Sequence, residues 1–158
     1  MKVGKNGSEL IKKFEQFRNH PYMDAVGVAT IGWGNTYYED GSAVEMTDEP
    51  LTRQRGNELH KFILEGFEDA VNRYVKSEIN NNQFDALVSL TYNIGVGNFR
   101  SSTLLKRVNA DPCDYDIEFQ FKRWNKGRVL GVLQELKGLT KRRNEEAYLY
   151  FQSVEDNV

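Results

Sequence analysis

Residues 14 to 34 read FEQFRNHPYMDAVGVATIGWG, and they contain the change from a helical pattern to a β pattern. It begins inside a predicted helix, for which Ser8 is the expected N-cap. The helix is expected to end soon after Glu15. His20-Pro21 is the stop signal, because proline disfavours helical backbone in the residue before it. Its buried face is formed by apolar residues at helical spacing: Leu10, Ile11, Phe14 and Phe17.

The second half of the stretch predicts β structure, which we expect from Tyr22 to Val44. The residues Asp24-Ala25-Val26-Gly27 suit a turn, and the strand after it contains Thr30. Gly32 and Gly34 leave one face of that strand almost without side chains, so another backbone or a ligand could approach closely. A second turn at residues 39–42 completes a small antiparallel sheet.

From Thr52 onward the pattern predicts only helices. Thr52 is the expected N-cap of a long amphipathic helix that runs to Tyr74. Asn82 is expected to cap the next helix, which the segment 95–97 (Gly-Val-Gly) interrupts. Ser102 is expected to open a short helix, and two more are predicted near residues 115–124 and over residues 138–151.

Composition describes an ordinary globular chain of 158 residues with a net charge of −2. Its single cysteine, Cys113, excludes a disulfide within the chain. The balanced charge gives no reason to expect nucleic acid as a partner. No signal peptide and no membrane-spanning stretch are visible, so we expect synthesis in the cytoplasm, no stable membrane insertion and a monomer.

Positive charge is concentrated in one segment near the C-terminus, where Glu135 is the only acid between Lys122 and Arg143. Such a segment is typical either of a face that binds an anionic polymer or of a solvated helical surface, and both interpretations remain open. The basic residues are Lys122, Arg123, Lys126, Arg128, Lys137, Lys141, Arg142 and Arg143.

Two carboxylates and a hydroxyl in the opening stretch could form a site for hydrolysis of a sugar–sugar bond. Glu15 lies at the edge of the apolar helix face, where reduced hydration favours the neutral form that a general acid needs. Asp24 in a wet turn would remain ionised and could activate water, which the Thr30 hydroxyl could help to hold. The alternatives are a surface ion pair for Glu15, a turn-forming Asp24, and simple β propensity for Thr30.

Other chemistries lack their signatures. His20 and His60 are the only histidines, and neither has a second histidine or a cysteine at metal-ligand spacing. There is no nucleophile elbow, P-loop or dinucleotide fingerprint. We therefore expect neither a metal nor a cofactor.

Five blocks in the correct order make the chain resemble the phage-type lysozymes, or endolysins, of glycoside hydrolase family 24. The first block combines Phe14-Glu15 with Tyr22-Met23-Asp24 and with the Thr-Ile-Gly-x-Gly pattern of residues 30–34. The others are residues 83–99, 102–105, 121–124 and 138–143. This resemblance implies an α+β, lysozyme-like fold: a small β-sheet lobe and a helical lobe joined by a long helix, with the active-site cleft between them. It implies one catalytic domain over residues 1–158, with a small lobe over 14–60 and a helical lobe formed by the N-terminal helix and 61–158.

The resemblance also implies a function, namely cleavage of the β-1,4 bond between N-acetylmuramic acid and N-acetylglucosamine in peptidoglycan during phage release. It makes Glu15 the general acid, Asp24 the base or charge stabiliser, and Thr30 the residue that helps to place the water. The implied sugar-binding residues are Tyr22, Asn93 and Phe99. The expected partners are peptidoglycan strands and a separate, holin-like protein that permeabilises the membrane, so that the enzyme acts in the periplasm.

Two departures from the family pattern and two other functions remain open. Asn35 stands where the family usually has histidine, so an ion pair of the relatives is expected to be missing. The segment 127–137 is longer than expected and predicts a longer helix or an added loop at the cleft rim. Either Arg142 or Arg143 is expected to pair with Glu15 or a neighbour.

The alternative functions are a glycosidase for chitin-like polymers and a non-catalytic peptidoglycan-binding module.

Overall fold

A computed structural model describes residues 1–154 of the chain. These residues form two compact units, one of residues 12–66 and one of residues 1–11 together with the described chain from residue 67 onward. The elements in chain order are α1 (Lys5–Glu15), β1 (Arg18–Met23), β2 (Ala29–Gly32), α2 (Arg53–Tyr74), α3 (Asn81–Ile94), α4 (Val96–Ser101), α5 (Thr103–Ala110), α6 (Asp116–Lys122), β3 (Lys126–Val129), β4 (Val132–Glu135) and α7 (Lys137–Phe151).

Helix α1 begins earlier than the sequence predicts, at Lys5 instead of after Ser8. The cause is a distant residue. The carboxylate of Asp85 accepts hydrogen bonds from the backbone NH groups of Gly4 and Gly7, at 2.9 and 3.0 Å. These bonds satisfy donors that have no partner within the first turn of a helix, so the tertiary contact replaces a local cap.

Helix α1 also ends earlier than the proline suggests. Its last residue is Glu15, and Gln16 turns the chain with a φ of 57°. His20 and Pro21 therefore lie in β1 and not at the helix end. As a result, Glu15 is the last helical residue before the chain reverses into the sheet.

Strands β1 and β2 pair antiparallel across the predicted turn. Tyr22 lies opposite Thr30, and Met23 opposite Ala29. The turn is closed by the backbone bond from Gly27 N to Asp24 O, at 3.1 Å. Beyond residue 32 the predicted β structure reduces to isolated bridges, of which one joins Ile31 and Asn35.

The larger unit packs α3 and α6 against α7. Helix α3 is buried along most of its length. Its N-cap is Asn80, which forms a reciprocal capping box with Gln83, so the prediction of Asn82 was wrong by two residues. The buried Asn82 instead donates to the carbonyl of Gln152, at 3.2 Å.

Three other predicted helix boundaries are confirmed. The Thr52 hydroxyl accepts from Arg55 N at 3.1 Å just before α2 begins. Gly95, with a φ of 90°, ends α3. The Ser102 hydroxyl accepts from Leu105 N at 3.0 Å and caps α5.

The segment 127–137 is a β-hairpin, not a longer helix, and the prediction of helices alone after Thr52 was therefore wrong. Strands β3 and β4 pair antiparallel from Lys126 opposite Glu135 to Val129 opposite Val132. Leu130 and Gly131 connect them with φ angles of 51° and 79°. Positive φ at both central residues is what the favoured two-residue hairpin turn requires.

Within the described chain, residues 1–154, no helix combines the length and the apolar character that crossing a membrane would require.

Candidate active site

The Glu15 carboxylate lies directly against the backbone of Gly34. Glu15 is half-buried at the end of α1, and Gly34 has a φ of 77°. A Cβ atom built on Gly34 would overlap the carboxylate group of Glu15. Position 34 therefore requires glycine for two reasons: its backbone conformation, and the space that the Glu15 carboxylate occupies.

The tight turn that carries Gly34 is held by Asn35. Backbone bonds of 2.8 and 2.9 Å connect Ile31 and Asn35 in both directions. The buried Asn35 side chain also accepts from Trp33 N at 3.3 Å. At the position where the family usually has histidine, asparagine thus stabilises the turn beside Glu15.

Aromatic packing and one hydrogen bond anchor the same turn. The Trp33 ring lies 5.4 Å from the ring of Phe17 and 6.2 Å from that of His60, measured between centroids. Its indole NH donates to Asn57 Oδ1 at 2.8 Å. Nothing in the sequence had singled out Asn57.

Asp24 presents a carboxylate that is held on one side only. Its Oδ1 accepts from the backbone NH groups of Val26 and Val28, at 2.9 and 2.8 Å. Among the described residues, Oδ2 of Asp24 has no hydrogen-bond partner, so this oxygen is available to a ligand or a water molecule.

Thr30 is buried, with 3% of its surface exposed, and its hydroxyl donates to the carbonyl of Val28 at 2.9 Å. A hydroxyl has one proton to donate and two lone pairs. Because that proton is already used, Thr30 can act on a water molecule only as an acceptor.

Tyr22 is the shared neighbour of these groups. Its burial raises the pKa of the phenol, and the negative charges of Glu15 and Asp24 raise it further, against the opposing effect of Arg18. The Arg18 guanidinium lies over the ring, 4.4 Å from its centroid. Tyr22 also lies opposite Thr30 in the sheet, so the two carboxylates that act on its pKa and Thr30 belong to the same region of the unit of residues 12–66.

The two other predicted sugar-binding residues belong to the larger unit. Asn93 is exposed at the end of α3, where its side-chain oxygen accepts a hydrogen bond from Arg143 Nη2. Phe99 in α4 is fully buried. A ring without exposed surface has nothing to offer a sugar, so we assign Phe99 to the core and omit it from the binding residues.

Arg142 and Arg143 are buried and share the carboxylate of Glu146. The network extends to Ser89, whose hydroxyl donates to Glu146 Oε2 at 2.5 Å, and to the carbonyl of Trp124, which accepts from Arg143 Nε at 2.8 Å. The basic segment is therefore not one solvated face, because two of its eight cations are internal. The sequence had not pointed to Glu146 or Ser89. The pairing of either arginine with Glu15 stays a prediction.

No group of three or more histidine, cysteine, aspartate or glutamate side chains in residues 1–154 is arranged to hold a metal ion.

The phage lysozyme family model matches residues 12–146. The chain belongs to the phage lysozyme family. A solved structure of an endolysin from the Escherichia coli O157:H7 phage FAHEc1 is 36% identical and superimposes with a TM-score of 0.89, covering 98% of this chain and 96% of that one. The predicted α+β, lysozyme-like fold is thus confirmed.

Curated relatives agree with this membership. The chain is 32% identical to the endolysin of Acyrthosiphon pisum secondary endosymbiont phage 1, over 95% of this chain and 98% of the relative. It is 34% identical to the endolysin of Bacillus phage PZA over its own whole length, but spans only 58% of that relative.

Proposed function

We propose that the protein is a peptidoglycan hydrolase, a muramidase that cleaves the β-1,4 bond between N-acetylmuramic acid and N-acetylglucosamine and lyses the bacterial wall during phage release. The observation that carries the proposal is the clustering of Glu15, Asp24 and Thr30 around Tyr22 in a member of the phage lysozyme family. Two carboxyl groups in different surroundings are what glycoside hydrolysis requires.

Glu15 is the general acid in this proposal. It is half-buried and packs against the Gly34 backbone, which restricts where its carboxylate can lie. It protonates the glycosidic oxygen as the bond to the sugar breaks. A fixed donor matters because proton transfer needs hydrogen-bond reach of about 3 Å.

Asp24 and Thr30 would hold the attacking water between them. Asp24 accepts one proton of that water through its available Oδ2, and Thr30 accepts the other through a lone pair. With both protons directed at the protein, a lone pair of the water is left for the sugar carbon. Asp24 then acts as general base, and the reaction proceeds with inversion.

The inverting mechanism makes a geometric demand. Inverting glycosidases hold their two carboxyl groups about 6.5–9.5 Å apart, which leaves room for the water, whereas retaining enzymes hold them about 5 Å apart. NMR of the first product formed distinguishes the two, since inversion gives the α-anomer at the new reducing end and retention gives the β-anomer.

Tyr22 and Asn93 are the proposed sugar contacts. The Tyr22 ring is half-buried beside both carboxylates, so a sugar held for cleavage would touch it. Asn93 is exposed, and Arg143 orients its side-chain amide through Oδ1, which leaves the NH₂ group to donate to a sugar hydroxyl.

The site of action requires export. We propose synthesis in the host cytoplasm, action as a monomer in the periplasm, and passage through the membrane with the help of a separate permeabilising protein. Lysis that persists in a host from which every candidate permeabilising protein has been deleted would contradict the last point.

A glycosidase for chitin-like polymers is the second candidate, because chitin shares N-acetylglucosamine with peptidoglycan. Mass spectrometry of the products separates the two. Digestion of purified peptidoglycan is expected to give fragments with N-acetylmuramic acid at the reducing end. Fragments that end in N-acetylglucosamine, or faster cleavage of chitin oligomers than of peptidoglycan, would contradict the muramidase proposal.

A further inference from the structure

The tip of the β3–β4 hairpin, residues 128–133, presents apolar side chains to solvent. Leu130 is 99% exposed, and Val132 and Leu133 are 63% and 56% exposed. Val129 is 40% exposed, so all four apolar residues of the hairpin tip lie at the surface. Exposed apolar side chains grouped in this way, instead of scattered singly, are typical of an interaction site.

Leu130 also occupies a backbone position that does not suit it. Its φ of 51° lies in the left-handed region, where asparagine, aspartate or glycine are the favoured residues of a hairpin turn. Leucine there adds steric strain and, being almost completely exposed, gains no packing within the protein in return. Residues that break a local rule without a compensating contact are expected at functional or strained positions.

Strand β3 of the hairpin carries two exposed cations, Arg128 in the tip and Lys126 at the base. Lys126 and Arg128 are exposed and form no ion pair with any residue in the described part of the chain. The nearest acid on the hairpin, Glu135, lies at its base and accepts a hydrogen bond from the Thr140 hydroxyl at 2.8 Å. The tip itself therefore carries one cation, Arg128, and aliphatic side chains but no acid, while Lys126 lies at the base of the hairpin opposite Glu135.

The same combination continues beside the hairpin. A groove of about 620 Å³ is lined by Leu133 together with Phe119, Trp124, Arg123 and Lys126, among others. Phe119 on α6 is 60% exposed. Aromatic rings next to aliphatic residues and cations are typical of surfaces that sit at the boundary between lipid headgroups and acyl chains.

Three kinds of partner can be compared for the hairpin tip: a glycan strand, another protein and a lipid bilayer. Valine and leucine offer no hydrogen bonds to sugar hydroxyls. A stable protein interface buries about 800 Å² on each partner, which is more than a six-residue tip provides. A bilayer needs no matching shape, and anionic lipids complement Lys126 and Arg128.

We propose that the hairpin tip is a membrane-contact element, which inserts Leu130 and its neighbours among the headgroups of an anionic phospholipid bilayer while Lys126 and Arg128 bind the lipid phosphates. The contact is peripheral and reversible. It holds the protein at the membrane surface without a spanning helix, and it does not depend on glycosidase activity.

Co-sedimentation with vesicles tests this proposal. The probes are vesicles of phosphatidylethanolamine with phosphatidylglycerol, and vesicles of phosphatidylcholine alone. Wild type is expected to sediment with the anionic vesicles and not with the neutral ones, and binding is expected to fall at high salt. Leu130→Asn should weaken binding at least about tenfold, since it removes the most exposed apolar side chain. Arg128→Glu should weaken it about fivefold or more.

Leu130→Asn is informative because asparagine suits the turn better than leucine does. The variant should therefore keep or increase its melting temperature while it loses vesicle binding. Met46→Asn, at another exposed apolar position, is the matched control and should bind as wild type does. Wild type that stays in the supernatant with anionic vesicles, or Leu130→Asn that binds unchanged, overturns the proposal. So does a wild-type dimer in sedimentation that Leu130→Asn abolishes, which would identify a second copy as the occupant.

Discussion

Gly34 and Glu15 are in direct contact, and the contact leaves no room for a side chain at position 34. A Cβ atom there would overlap the Glu15 carboxylate. The proposed acid is thus positioned by the peptide backbone of a turn, which Asn35 and Trp33 hold from both sides. This relationship makes the position of the acid sensitive to a single methyl group.

Gly34→Ala is expected to reduce kcat on peptidoglycan by at least about tenfold, because displacement of a catalytic group by about 1 Å has large effects on rate. Gly41→Ala is the matched control. Gly41 has a similar φ of 84°, but a Cβ atom added there would meet no atom within 4 Å. Both variants should lose about 1 kcal/mol of stability through backbone strain. Equal activity of the two variants would show that the Gly34 contact does not position the acid.

Thr30 is expected to act as an acceptor for the attacking water. Thr30→Ser keeps the hydroxyl and its bond to Val28 O, so its kcat should stay within about threefold of wild type, whereas Thr30→Val should lose about 10² in kcat. Steady-state kinetics on soluble peptidoglycan fragments measures both. A Thr30→Val variant with unchanged kcat would remove Thr30 from the mechanism, and circular dichroism should confirm that each variant is folded.

His60 makes stability depend on pH. Its burial beside Trp33, with an added effect of the Lys12 charge, lowers the pKa of the imidazole to about 4 from 6.5. The unfolded chain therefore binds a proton at a higher pH than the folded chain does. The contribution of His60 to the free energy of unfolding is fully present above about pH 6.5. It is lost as the pH drops toward 4, which lowers the free energy of unfolding by up to about 3 kcal/mol.

Guanidinium unfolding at a series of pH values measures this dependence. His60→Phe, which keeps an aromatic ring at the position and cannot titrate, should flatten the curve between about pH 6.5 and 4. Parallel curves for wild type and His60→Phe would assign the acid sensitivity to other groups.

Glu146 holds two buried arginines. Glu146→Gln removes the carboxylate that Arg142 and Arg143 share, and loss of one partner from a buried ion pair costs about 3–5 kcal/mol. Lys141→Gln on the exposed side of the same helix should change stability by less than about 0.5 kcal/mol. Thermal or chemical unfolding compares them. A Glu146→Gln variant as stable as Lys141→Gln would refute the central role of this carboxylate.

Local rules in the sequence predicted the elements that depend on local chemistry. Thr52, Ser102 and Gly95 mark helix ends because a hydroxyl cap or a left-handed glycine acts within a few residues. The start of α1 could not be predicted in this way, since its cap, Asp85, lies far along the chain. Periodicity also failed for the hairpin, although Gly131 close to two β-branched residues was an available signal.

Part of the candidate site could be predicted because its residues also depend on local chemistry. Glu15, Asp24 and Thr30 are close in sequence, and a short helix end and hairpin can bring them together without distant contacts. Phe99 was misjudged because a phenylalanine in a short helix after a glycine-rich break gives no local sign of burial. The network around Glu146 depends on packing between α3 and α7, which no local pattern reveals.

The rate at which Glu15→Gln clears purified peptidoglycan tests whether Glu15 is the general acid. Glu9→Gln, at an exposed position of the same helix, is the control. Glu15→Gln is expected to remain folded and to clear at least about 10² more slowly than wild type, whereas Glu9→Gln keeps the wild-type rate. Clearing by Glu15→Gln at the wild-type rate would contradict the account.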